Sequence, residues 1–150
     1  MTEAEYFGKW LNILNGQELH RIMNILAIEY KKKPVCPKKE LVFKAFHLCP
    51  YEEVRIIMLG QDPYPQKDVA TGLLFGNQKG IAEELFSPSL RVIKESLSAL
   101  KSFGPSQGFD PTLEPWAAQG ILLLNSSLTV EMNKVGSHST LWKSFISEFY

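Results

Sequence analysis

The chain has 150 residues, 45% hydrophobic and 21% charged, with a formal net charge of zero. That length suits one domain with a real core, spanning residues 1–150, and the balance excludes a disordered chain. No overall positive charge points to nucleic acid, although a local basic face is compatible with neutrality.

Residues 3 to 14 place Tyr6, Phe7, Trp10, Leu11 and Leu14 on one helical face, closed by Asn15-Gly16. Residues 17 to 31 repeat the pattern through Leu19, Ile22, Met23, Leu26 and Tyr30. Lys31-Lys32-Lys33 reads as a solvated helix end, and Pro34 and Pro37 predict an extended connector. A short helix over 38–47 turns Leu41, Val42, Ala45 and Phe46 inward. Val54 and Ile56 to Leu59 then form an apolar run suited to a strand buried on both faces, as in a parallel sheet. Gly60 stops it, and Gln61, Asp62, Pro63 and Tyr64 follow without a spacer.

Residues 70 to 75 predict a second short strand. Ser87 is a candidate N-cap with Pro88 at the first helical position, ahead of a stripe of Leu90, Ile93, Leu97 and Leu100. Residues 103 to 115 read as a loop, and Trp116 to Gln119 as a turn of helix. Ile121 to Leu124 predict a third buried strand ending at Asn125. A final amphipathic helix carries Leu141, Trp142, Phe145, Ile146 and Phe149. Strands alternating with helices define an α/β class, a parallel α/β sandwich.

Cys36 and Cys49 read as reduced thiols, and His20, His47 and His138 lack metal-site spacing. The N-terminus has no signal-peptide pattern, and no apolar stretch approaches the roughly 20 residues needed to span a bilayer. A cytoplasmic protein is expected.

Ligands of open α/β sheets bind at the carboxyl ends of strands. Gln61, Asp62, Phe75 and Asn125 converge there on this reading. Singly, Asp62 reads as a turn cap, Asn125 as a strand terminator and Phe75 as core. Together they offer a carboxylate, a two-sided carboxamide for an amide-like base edge and a flat ring for stacking.

Gly60-Gln61-Asp62-Pro63-Tyr64, with Ala70, Gly72-Leu73 and Phe75, resembles the first motif of the main uracil-DNA glycosylase family. Pro37-Lys38, Val42 to Phe46, Ser87-Pro88-Ser89-Leu90, Trp116 to Asn125, Leu128 to Val130 and Ser137-His138 are similar to further segments of that family, in order. The resemblance implies a three-layer α/β/α sandwich around a short parallel sheet, with about three of the family's four strands present. It implies base flipping of deoxyuridine from single- or double-stranded DNA and hydrolysis of the N-glycosidic bond. Asp62 would be catalytic. Asn125 and Gln61 would read the uracil edge, Phe75 would stack, and Tyr64 would exclude thymine's methyl group. Ser89, with Ser87, would meet a DNA phosphate at the helix start. No metal and no organic cofactor is implied, and a monomer is expected.

Pro65 and Thr71 stand where that family usually has histidines, and Gln66 to Val69 alter the same loop. The family's fourth strand and His-Pro-Ser loop, which carries the histidine facing the leaving uracil and an apolar wedge, have no counterpart here. His138 matches a different position. The strand Ile121–Asn125 is therefore expected to be an exposed edge. A uracil- or DNA-binding relative with impaired catalysis is the alternative. A flavodoxin-like nucleotide-binding domain lacks the Gly-rich phosphate loop it would need.

Overall fold

The computed structural model describes residues 1–100 and 108–149. Among the described residues, six helices, α1 (Glu3–Phe7), α2 (Gly16–Lys32), α3 (Lys44–Leu48), α4 (Pro88–Ala99), α5 (Glu114–Ala118) and α6 (Ser139–Ile146), accompany four strands: β1 (Val35–Cys36), β2 (Ile56–Gly60), β3 (Ile121–Asn125) and β4 (Val130–Glu131). The loop expected over 103–115 lies partly outside the described residues, as does the inward face expected of Phe149.

Capping chemistry sets the first helices. Thr2 Oγ1 accepts the Glu5 N–H at 3.1 Å, while the Thr2 N–H donates to the Glu5 carboxylate, closing a capping box. The helix expected over 3–14 breaks after Phe7 into a 3₁₀ turn over Gly8–Asn12, and Gly8 adopts φ +55°. Asn15 does not merely end a helix; its side chain caps α2 by accepting the Glu18 N–H.

β2 and β3 run parallel, from Ile56 opposite Ile121 to Gly60 opposite Asn125, so both strands deliver their polar ends to one rim. β1 and β4 form a separate antiparallel pair. The α/β class holds, but among the described residues the parallel sheet has two strands, and residues 70 to 75 are not a third. Phe75 and Gly72 take φ +67° and +89°, which no strand tolerates. The segment meets the sheet by one backbone bond, Leu74 N–H to Leu123 O at 3.1 Å.

The core gathers on β3. Leu122, Leu123 and Leu124 are fully buried, beside Leu73, Leu74 and Leu113. Helices α3 and α5 pack on β3, and α6 on α2. Trp142 and Phe145 of α6 meet Phe43 and Phe46 edge to face, with ring centroids 5.9 and 6.2 Å apart. The apolar face of α6 is thus covered within this chain.

The exposed edge falls on β2, not on β3. β3 has β2 on one side and the Leu74 segment on the other, whereas β2 pairs with β3 alone among the described residues. Ile56, Ile57 and Leu59 are 54%, 55% and 42% exposed, against the expectation of a strand buried on both faces. An open apolar strand is a template for association. Ile57→Lys is expected to lower concentration-dependent self-association of this chain, measured by sedimentation velocity. Its effect on unfolding free energy should stay within about 0.5 kcal/mol, as for other exposed positions.

Candidate active site

The paired strand ends are zipped together beyond the sheet. The Ser126 N–H donates to Gly60 O and the Ser127 N–H to Gln61 O, both at 2.9 Å. Gly60 is needed for the close approach: a Cβ there would run into the Leu74 side chain and Asn125 Oδ1. Between the strand ends and the 70–76 turn lies a cavity of about 360 Å³, within the usual range for small-ligand sites. Gln61, Asp62, Tyr64, Phe75, Ser89 and Asn125 all line it. Six of the seven residues singled out from the sequence therefore converge.

Ser87, the seventh, does not line the cavity. It occupies the N-cap position of α4, with Pro88 in the first turn, but its hydroxyl does not cap the helix. It accepts from Asn77 Nδ2 at 3.2 Å, while its N–H donates to Asn77 Oδ1 at 3.0 Å. Asn77 is fully buried and its N–H donates to Pro111 O, so it locks the start of α4 against the cavity wall. The burial of Asn77 depends on partners ten and more residues away in the chain.

Asp62 is held from across the chain. Its Oδ2 accepts the Gly136 N–H at 2.7 Å. Gly136 has φ +79°, which glycine adopts without strain and which aims that N–H at the carboxylate. The same turn donates the Asn133 N–H to Pro65 O at 2.9 Å and contributes Val135 to the cavity lining. Neither Val135 nor Gly136 was singled out from the sequence; the glycine was the only local cue.

The Tyr64 hydroxyl donates to Phe75 O at 3.2 Å. Burial is the main cause holding its phenol above the usual tyrosine range, partly offset by Ser87 and Asn77, so it stays neutral and a donor. Phe75 carries its ring on a left-handed backbone, a conformation costly for a bulky residue and typical of ligand clamps.

Asn125 has an unfulfilled bonding demand. Its Oδ1 is buried and accepts no hydrogen bond, alone among buried side-chain polar atoms of the described residues. Such a group costs about 1–3 kcal/mol unless something supplies a donor.

Pro65 lines the cavity; Thr71 does not. Thr71 is buried and accepts the Leu73 N–H, shaping the turn beneath Phe75. Among the described residues, no histidine lines the cavity. His138 is buried elsewhere, with Nδ1 2.8 Å from Thr129 Oγ1 and Nε2 3.6 Å from Glu29. Among the described residues, no group of three or more His, Cys, Asp or Glu could hold a metal ion. Cys36 and Cys49 are free and buried.

A parallel strand pair that leads at one end into Asp62 and Asn125, both lining a cavity that Phe75 also lines, defines an α/β protein with a strand-end cavity. No family model matches the chain. It is 33% identical to a uracil-DNA glycosylase of Porphyromonas gingivalis over 150 residues, covering 97% of this chain and 66% of that protein. It is 45% identical over 112 residues to a uracil-DNA glycosylase of Campylobacter jejuni, covering 74% of this chain and 46% of the relative. The fold is that of a mimivirus UNG solved in complex with UGI, with a TM-score of 0.78 at 24% identity over 99% of this chain and 56% of that one. The chain belongs to the uracil-DNA glycosylase family. It spans about half to two thirds of the length of these curated relatives.

Proposed function

We propose that the chain removes uracil from DNA by flipping deoxyuridine into the strand-end cavity and hydrolysing its N-glycosidic bond. The observation that carries this reading is the buried, unpartnered Asn125 Oδ1 in a cavity that also holds Asp62, Tyr64 and Phe75. Uracil offers what that oxygen lacks: its N3–H donates to Oδ1, while the Asn125 amide donates to O4. Gln61 extends this polar edge. Phe75 stacks on the ring, and Tyr64 stands where a 5-methyl group would go. As the C1′–N1 bond breaks, its electron pair leaves with N1. The Asp62 carboxylate stabilises the cationic sugar, orients the water that adds to C1′ and takes that water's proton. Ser89, exposed in the first turn of α4, contacts a phosphate of the strand, and Ser87 steadies that turn. The reaction so written uses water and no metal or organic cofactor.

The partner is deoxyuridine-containing DNA, single- or double-stranded. The setting is the cytoplasm, and the acting species is a monomer. No helix among the described residues is long and apolar enough to cross a membrane.

A second reading is a chain that binds uracil in DNA but releases it slowly, for among the described residues the cavity lining holds no histidine. Losing one preorganised donor to a developing anion costs about 100- to 1,000-fold in rate. The deciding experiment incubates the chain at stoichiometric concentration with a single-stranded deoxyuridine oligonucleotide and counts abasic sites, with uracil binding measured in parallel. Binding without abasic sites sinks the catalytic reading.

Tyr64→Ala opens the wall that faces the 5-position. It is expected to admit thymine, so that uracil-over-thymine discrimination, worth about 10- to 200-fold for one buried methyl, collapses toward parity. Release of thymine from a matched oligonucleotide measures it.

A further inference from the structure

A second cavity, of about 480 Å³, lies against the same loop that walls the first. Pro65 lines the strand-end cavity, Gln66, Lys67 and Asp68 line the second, and Ala70 lines both. Residues 65 to 70 therefore divide two adjoining hollows. The second is basic: Lys38, Lys67 and Lys79 line it, with the carboxamides of Gln66 and Gln78 and a single carboxylate, Asp68. In a chain of zero net charge this is a local concentration of cations, not a reflection of overall composition. Lys79 has a long ion pair with Asp110 at 3.9 Å. Lys38 and Lys67 have no ion pair among the described residues.

The wall between the hollows is fixed from the basic side. The Gln78 N–H donates to Val69 O at 2.9 Å and Gln78 Nε2 to Ala70 O at 3.0 Å. The Cys36 thiol donates to Pro65 O at 3.6 Å. Lys67 thus lies within a tethered loop and Lys79 beside its Gln78 anchor, with Val35, Ile81 and Met132 as apolar lining. Unpaired ammonium groups and carboxamide donors around one hollow suit a phosphate, for which lysine acts as a point-charge partner.

We propose that this cavity is a phosphate subsite for the DNA strand whose uracil occupies the strand-end cavity, with Lys38 and Lys67 as its main cations and Lys79 as a supplementary one. The proposal rests on the functional reading above. It extends the DNA interface to the side of the loop away from the base, through Gln66 and Lys67.

The test is fluorescence anisotropy of the full 150-residue chain with a labelled single-stranded oligonucleotide carrying one uncleavable 2′-fluorodeoxyuridine, across a salt series. A Lys38→Gln/Lys67→Gln double variant is compared with Lys9→Gln/Lys143→Gln, which removes the same charge from exposed positions outside both cavities. The first double variant is expected to weaken binding about tenfold at low salt, as befits a lost charge-assisted contact. Its slope of log affinity against log salt should flatten by about 0.7, the value for one single-strand phosphate. The second should change neither. Equal losses in both double variants, or no loss in the first, overturn the subsite and leave the functional reading intact. Failure of the unsubstituted chain to bind the oligonucleotide overturns both.

Discussion

Asp62→Asn is expected to slow uracil release by about 100- to 1,000-fold, the cost of removing one preorganised charge from a developing transition state. The geometry makes this a clean substitution. Asparagine has the shape of aspartate, and its Oδ1 can still accept the Gly136 N–H that now reaches Asp62 Oδ2 at 2.7 Å. The loop between Asp62 and Pro65 also stays anchored at its far end by the Asn133 N–H and the Cys36 thiol. Only the exchange of a charge-assisted hydrogen bond for a neutral one affects the fold, worth about 1 kcal/mol. Negative charge beside the cationic sugar is lost, and so is the acceptor for water's proton. Single-turnover release of uracil from a deoxyuridine oligonucleotide, with binding of the uncleavable analogue as control, separates the two effects. Unchanged binding with collapsed release is the expected pair. Equal release rates for parent and variant would remove Asp62 from the chemistry.

The site was more legible in the sequence than the sheet that carries it. An apolar run that stops at Gly60 and gives way to Gln61, Asp62 and Tyr64 announces a strand end with chemistry on it, and Leu124-Asn125 does the same. Parallel pairing of β2 and β3 in register then forces Gly60 and Asn125 side by side, so convergence follows from local patterns plus one topological rule. The illegible features are non-local. The Gly136 N–H reaches Asp62 across 74 residues, and nothing near either residue signals it. Asn77 looks like a surface residue until Ser87 and Pro111 enclose it. Phe75 takes a backbone conformation that its residue type argues against, which hid the turn behind an apparent strand. The exposure of Ile56, Ile57 and Leu59 depends on what covers β2, and an apolar run cannot say which of its faces is covered.

The Asn125 carboxamide sets stability and binding against each other, and Asn125→Leu is the substitution that exposes this. Leucine has nearly the shape of asparagine, so it fits the strand end opposite Gly60 without new volume. It removes a buried acceptor that has no donor among the described residues. Removing that cost of about 1–3 kcal/mol, at a strand position where an apolar side chain is preferred, should leave the unfolding free energy unchanged or raise it. Urea titration followed by tryptophan fluorescence measures that arm. The binding arm moves the other way. Uracil would bury its N3–H and O4 against a hydrocarbon, leaving two polar groups unpaired at about 1–3 kcal/mol each. Affinity for the uncleavable deoxyuridine oligonucleotide should then fall by about 100-fold or more, while affinity for an oligonucleotide without uracil stays the same. A chain that is as stable as its parent or more so, yet blind to uracil, is the result expected if the orphaned oxygen is kept for the ligand. A variant that loses stability by more than about 1 kcal/mol and still distinguishes the two oligonucleotides would show that Asn125 serves the strand end alone.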